Sequence, residues 1–262
     1  MLNSNDNQLT FGGHMEVLRR MLFCFLGVTI VIAVIIFLLK DLTWSILLAP
    51  SEYDFVTYRY IERIIHWFGS DFHFDKYDID MIATDLTSQF MTHVTMSLYL
   101  GCLSASPYIL YKLFRFILPA LNENERKYSV YVALIIYALF IIGTLMSYFV
   151  IFPISFRFLG TYSVADKVST MVTLNSYIST FVSLTLVMGV VFQLPVISYI
   201  LAKTGIVNYQ ILVKYRRHAL IILTIVSAFI TPPDIMSCIL VTLPLYILYE
   251  LSVLIAKRAY KE

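Results

Sequence analysis

Five stretches of this chain, residues 21–39, 86–111, 128–156, 168–202 and 218–233, contain no Asp, Glu, Lys or Arg, and a sixth, 235–256, is interrupted only by Glu250. A helix needs roughly 20 apolar residues to cross a hydrocarbon core ~30 Å thick. The first four runs meet that length or nearly so, and the last two are marginal. A soluble domain of 262 residues has no place for uncharged runs of 26, 29 and 35 residues. The expected fold class is therefore all-α: a polytopic membrane protein with six transmembrane helices, forming one domain over residues 1–262.

Lys and Arg cluster at alternate ends of these runs. Arg19 and Arg20, the 112–127 loop, the 203–217 loop and the carboxyl end together carry 13 of them, and the opposite side carries 6. Positive charge is retained on the cytoplasmic side. Both termini are expected there, which requires an even number of spans, and six fits. A formal net charge of +2, without basic patches interleaved with aromatics, gives no sign of nucleic-acid binding. Cys24, Cys102 and Cys238 lie inside apolar runs at no metal-like spacing and read as small hydrophobes.

Residues 40–85 form the one sizeable extracytoplasmic loop, and it is acidic. Within it Phe55, Tyr58, Ile61, Ile64, Ile65 and Phe68 recur at helical spacing. This stripe predicts a short amphipathic helix. Either it lies on the membrane surface, with Trp44 and Trp67 as interfacial anchors, or it packs on the tops of the spans. The fifth run, 16 residues long, reaches only roughly 24 Å as a helix, short enough to thin the bilayer locally. Thr231-Pro232-Pro233-Asp234 is a tight turn after it, with Asp234 placed to cap the next helix.

No catalytic motif is present, whether Ser/His/Asp spacing, HExxH or a phosphate-binding glycine loop, and no cofactor is expected. The protein reads as a non-enzyme. His93, Asn175 and Gln193 are polar groups at membrane depth, each either satisfied inside the bundle or functional. Gln193, close to Pro195, is placed to bond carbonyls that the proline frees. On the cytoplasmic side, Pro107 and Pro119 bracket an aromatic and basic stretch followed by Glu123 and Glu125. Exposed carboxylates beside a rigid apolar loop suit a guanidinium ligand, although a merely solvated loop has the same composition.

Several strings along the chain resemble the TatC family, the multispanning subunit of the twin-arginine protein translocase. They are His14-Met15 with Leu18-Arg19, then Met81-Ile82-Ala83-Thr84-Asp85, then Ser106-Pro107 with Leu110-Tyr111. Phe116 with Leu118-Pro119-Ala120-Leu121 and Glu125-Arg126 follow, then Tyr148-Phe149-Val150-Ile151-Phe152-Pro153. Thr231-Pro232-Pro233-Asp234 and Pro244 with Leu248-Tyr249-Glu250 complete the series. The resemblance implies a receptor and core subunit, in a bacterial inner membrane, that recognises twin-arginine signal peptides and exports folded proteins. It implies small single-span partners of the TatA/TatB type and a homo- or hetero-oligomer. The family's signal-binding acid falls on Glu125 and its nearby aromatic on Phe116, with Glu16 and Arg19 as further contacts. Pro107, Pro119, Gln193 and Asp234 fall on structural or partner-binding positions.

Two positions depart from the family pattern. The acid before Leu18-Arg19 is displaced to Glu16 by Val17, about 100° around a helix, and Gly12 and Gly13 are positioned to let this segment readjust. An acid usual in span four is Gln193, expected to line a water-accessible concave face. The competing reading, a secondary transporter of a small solute, predicts inverted repeats and ionisable mid-span residues, and neither is evident.

Overall fold

A computed structural model describes residues 11–67, 81–117, 129–163, 165, 170–203 and 209–259. Nearly all of it is helix. α1 is Phe11–Leu38, α2 is Lys40–Leu48, and α3 is Val56–Trp67. A short strand β1, Met81–Ile82, precedes α4, Ser88–Ile117. α5, Ser129–Met146, continues through a π-helical turn, Ser147–Ile151, into α6, Phe152–Thr161. Strand β2, Val172–Thr173, leads into α7, Leu174–Val191, and α8, Leu194–Lys203. α9 is Tyr209–Lys214, α10 is Arg216–Ile230 and α11 is Ile235–Ala259.

Four of these helical bodies are long and apolar enough to cross a membrane: Met15–Leu38, Val132–Thr161, Leu174–Ala202 and Ile235–Arg258. α4 has the length, 30 residues, but is diluted with hydroxyl and amide side chains. α10 is apolar but has only 15 residues. The outward faces are apolar too: Leu38, Phe229 and Ile235 stand exposed. Such a surface is suited to lipid rather than water.

Prolines mark the irregularities, and hydroxyls repair them. Pro107 has no N–H to offer the carbonyl four residues back, and the Ser106 hydroxyl donates to that carbonyl, Leu103 O, at 2.6 Å. Ser106-Pro107 is thus a bend that carries its own hydrogen-bond donor. Removing the donor with Ser106→Ala strands a carbonyl inside the bundle. We expect a loss of about 1 kcal/mol, read as a lowered melting temperature in detergent. Pro153 likewise cannot bond Phe149 O. There the donor comes from another element: the Thr57 hydroxyl of α3 donates to Phe149 O, and the Tyr58 hydroxyl donates to Pro153 O at 2.8 Å.

This pair of bonds locates α3. Phe55 and Tyr58 are buried, and Phe55 stacks on Phe149 with ring centroids 5.9 Å apart. The first half of the apolar stripe therefore packs on the π-helical junction between α5 and α6, while Ile64 and Trp67 remain exposed; Phe68 lies outside the described residues. Trp44 is partly buried against the main core, with its ring 6.1 Å from that of His93.

The main core cluster is built chiefly from α4, the π turn, α6, α7 and α11, with Met96, Leu184, Met188, Val241 and Leu245 fully buried. Glycines set how closely the helices approach. A Cβ on Gly101 would stand 2.7 Å from Thr29 O of α1, and one on Gly143 would stand 2.6 Å from Met188 O of α7. Close backbone approach through small residues is how helices associate in lipid. One feature has no counterpart in the sequence reading: β1 and β2 pair in parallel, Met81 opposite Val172 and Ile82 opposite Thr173, joining the first loop to the segment before α7.

Candidate functional site

The candidate residues fall at one end of α1, at one end of α4, and at two helix breaks. Glu16 and Arg19 are both exposed in the first turns of α1, three positions apart and so on neighbouring faces of the helix. α1 runs helically through Gly12 and Gly13. In this structure the acid at position 16 is turned about 100° around the α1 axis from position 17, and Val17 is exposed where an acid was expected. Pro107 lies within α4, and Phe116 belongs to its last turn. Pro119 and Glu125 lie outside the described residues.

Gln193 sits in the break between α7 and α8, where Pro195 interrupts the helix. It is buried, and its Nε2 donates to Ile136 O of α5 at 3.0 Å. Two expectations are corrected here. The amide bonds a carbonyl of the neighbouring helix rather than those Pro195 frees, and it faces the bundle rather than a water-accessible concave surface. Its Oε1 has no partner. An amide at this depth gains more from a protein carbonyl than from lipid, which offers none.

Asp234 caps α11. Its Oδ1 accepts from the Ser237 N–H at 2.6 Å, satisfying one of the unpaired amides of the first turn. The short α10 is stitched to α11 just inside that turn, where the buried Ser227 hydroxyl lies 2.6 Å from Thr242 Oγ1. At the other end of the same pair, Arg216 Nη2 lies 2.9 Å from Glu250 Oε2, and the Tyr246 hydroxyl donates to Glu250 Oε1 at 3.1 Å. The Tyr249 hydroxyl donates to Leu212 O at 2.7 Å, fastening α9 to α11. The sequence signal for this cluster was present, since Glu250 is the one acid interrupting the last apolar run. Its partner lies 34 positions away and could not be named from spacing.

No group of three or more His, Cys, Asp or Glu suited to a metal ion occurs among the described residues. What the site offers chemically is recognition: exposed ionic groups where the helices begin and end, and a rigid scaffold of capped and hydroxyl-repaired helices behind them.

A family model described as "Sec-independent protein translocase protein (TatC)" matches residues 13–244. The chain is 34% identical over 259 residues to the Sec-independent protein translocase protein TatC of Blattabacterium sp. subsp. Periplaneta americana, covering 97% of both chains. It is 37% identical over 180 residues to TatCy of Bacillus subtilis, covering 69% of this chain and 71% of that one. Among solved structures, the twin arginine translocase receptor TatC superposes with a TM-score of 0.73 at 27% identity, covering 94% of this chain and 99% of that one.

Proposed function

The chain belongs to the TatC family of Sec-independent protein translocase proteins, and from that premise we propose that it is the receptor subunit that captures the arginine pair of an export signal at Glu125. A translocase subunit of this kind performs no chemistry of its own. The observation that carries the reading is the family match across residues 13–244, which includes the 106–126 stretch where Glu125 follows Phe116 and Pro119. A carboxylate at a membrane interface is only partly desolvated, so pairing with guanidinium there yields more than it would in open water.

In this reading the chain spans the membrane six times, with α4 and the short α10 as the spans that fall below an ordinary length or hydropathy standard. Both termini lie in the cytoplasm of a bacterial cell, at its inner membrane. The 13-to-6 division of Lys and Arg supports that orientation. Residues 40–85 are extracytoplasmic, α3 rests against the junction between α5 and α6, and Trp67 reaches the interface. Arg19 and Glu16 border the signal site, with Glu16 the weaker contributor because of its rotation. Small single-span subunits of the TatA/TatB type assemble against the spans, and Gln193 and Asp234 hold the helices they dock on. A solute-transporter reading has no support: apart from the Arg216–Glu250 pair near a helix end, no Asp, Glu, Lys or Arg sits in the middle of a span among the described residues.

The reading is tested with a synthetic signal peptide titrated against the protein in nanodiscs. Replacing the peptide's two Arg with Lys preserves charge but loses the planar bidentate geometry, and about a tenfold or greater rise in Kd is expected. Equal binding of the two peptides would show that charge alone is read and would remove the bidentate site.

A further inference from the structure

α3 turns one side to the protein, and the side it turns away is divided in two. Tyr58 is buried, and Thr57 and Tyr58 bond Phe149 O and Pro153 O at the π-helical junction. At about 100° per residue, Val56, Tyr60, Ile64 and Trp67 fall together on the far side, and all four are exposed, Trp67 at 83%. Arg59 and Arg63, exposed as well, run one turn apart along the edge of this strip. Glu62 and His66 lie beyond Arg59, toward the protein, and are half-buried.

An apolar strip beside a cationic one suits neither water nor hydrocarbon alone. The boundary between headgroups and acyl chains satisfies both strips, and Tyr60 and Trp67 are of the aromatic types that favour that level. The depth of α3 agrees. Its two carbonyl partners belong to the span that begins at Val132. Counted from there at 1.5 Å per residue, Phe149 lies roughly 26 Å along the helix and Pro153 roughly 32 Å. The hydrocarbon core is ~30 Å thick, so α3 is fastened where it ends.

The cationic strip has the chemistry of a phosphodiester site. Arg59 and Arg63, with Val56 and Tyr60, line a recess of about 250 Å³. The Arg63 guanidinium stands 5.5 Å from the centroid of the Tyr60 ring, and it enters no ion pair among the described residues. Arg59 meets Asp54 through Nε alone, at 3.4 Å, with both side chains largely exposed. An exposed pair of that length is weak, and it leaves the Nη groups of Arg59 to a planar acceptor such as phosphate.

We propose that the outward face of α3 binds an outer-leaflet phospholipid, its phosphodiester accepting from Arg63 and Arg59 and its acyl chains running past Tyr60, Ile64 and Trp67. An anionic headgroup such as phosphatidylglycerol is preferred over phosphatidylcholine, whose ammonium opposes the guanidinium groups. The assignment rests on the six-span arrangement proposed above and not on signal recognition. A protein that shows the lipid preference yet binds no signal peptide keeps this site and loses the receptor reading.

Trp67 is one of two tryptophans, so Trp44→Phe leaves it as the single reporter beside Arg63. The full chain carrying that substitution is placed in phosphatidylcholine vesicles holding a small share of lipid brominated high on the acyl chain. At equal mole fraction, brominated phosphatidylglycerol is expected to quench Trp67 about two- to fivefold more than brominated phosphatidylcholine. Arg63→Gln should abolish that excess, and Lys76→Gln, which removes one positive charge from the same loop, should preserve it. Equal quenching by the two lipids would overturn the proposal. So would a loss of the excess in Lys76→Gln as large as in Arg63→Gln, since net charge rather than a site would then be attracting the lipid. No quenching by either lipid would mean that another protein covers this face, which also overturns it. Should the Trp44→Phe variant fail to fold, native mass spectrometry of the otherwise unaltered chain decides. Phosphatidylglycerol retained through detergent washing should fall severalfold in Arg63→Gln, and equal retention would remove the site.

Discussion

Glu125→Ala is expected to abolish photocrosslinking of a twin-arginine signal peptide while the protein stays inserted and folded. The substitution removes the acceptor that the peptide's guanidinium groups would pair with. Hydrogen bonds to charged groups contribute about 1.5–3 kcal/mol, so a loss of roughly 10- to 150-fold in affinity follows. Glu125→Gln should fall between the two, because an amide oxygen still accepts but the charge is gone. Glu16→Ala should cost less than either: α1 is helical through Gly12 and Gly13, and the acid cannot swing back to the face that Val17 occupies. The measurement is crosslinking yield at a peptide concentration near the wild-type Kd, beside a size-exclusion profile of each variant. Unchanged yield for Glu125→Ala would take Glu125 out of the site.

The second large effect concerns packing. Gly143→Leu should prevent the protein from accumulating, or lower its melting temperature in detergent by far more than any surface change. A Cβ at position 143 would stand 2.6 Å from Met188 O and 2.8 Å from Phe192 Cγ. One at Gly189 on the facing helix would stand 2.7 Å from Phe140 Cε2. The two glycines thus receive each other's helix, Gly143 the α7 backbone and Gly189 a ring of α5. A backbone carbonyl cannot step aside as a flexible side chain can, so α5 and α7 must part. Parting them exposes the buried cluster around Met188 and Leu184, a disruption in the class that exceeds about 4 kcal/mol. Gly27 serves as the comparison, with nothing within 4 Å of its would-be Cβ. Gly27→Ala should be neutral or stabilising by up to about 1 kcal/mol, from helix propensity alone. If the two variants melt alike, the close α5–α7 approach is wrong.

Individual residues show how legible the molecule was. Pro195 and Pro232 announced irregularities in the sequence, and the structure has a helix break and a tight turn at those places; the π turn before Pro153 was not foreseen. Asp234, lying just before Ile235, was readable as a cap because capping depends on residues three apart. Ser106-Pro107 was visible as a motif, but its meaning, a hydroxyl serving the carbonyl that the proline strands, appeared only with coordinates. Gln193 was misread in direction. Glu250 was noticed and its partner Arg216 was not. Each of these failures concerns which way a side chain points around a helix axis. In soluble helices the apolar stripe answers that question. Here the helices are apolar on every side, and no such stripe exists for α5, α7 or α11.

What the chain determines by itself is therefore what a bilayer reads: which segments are apolar over a membrane's thickness, where charge halts them, and where proline interrupts the helix. Those are properties of short stretches, and hydrocarbon sorts them one stretch at a time. Tertiary structure alone decides which face of each helix meets protein and which meets lipid. That choice rests on glycine contacts, single hydroxyl–carbonyl bonds and one ion pair between residues dozens of positions apart, and apolar composition is the same on both faces.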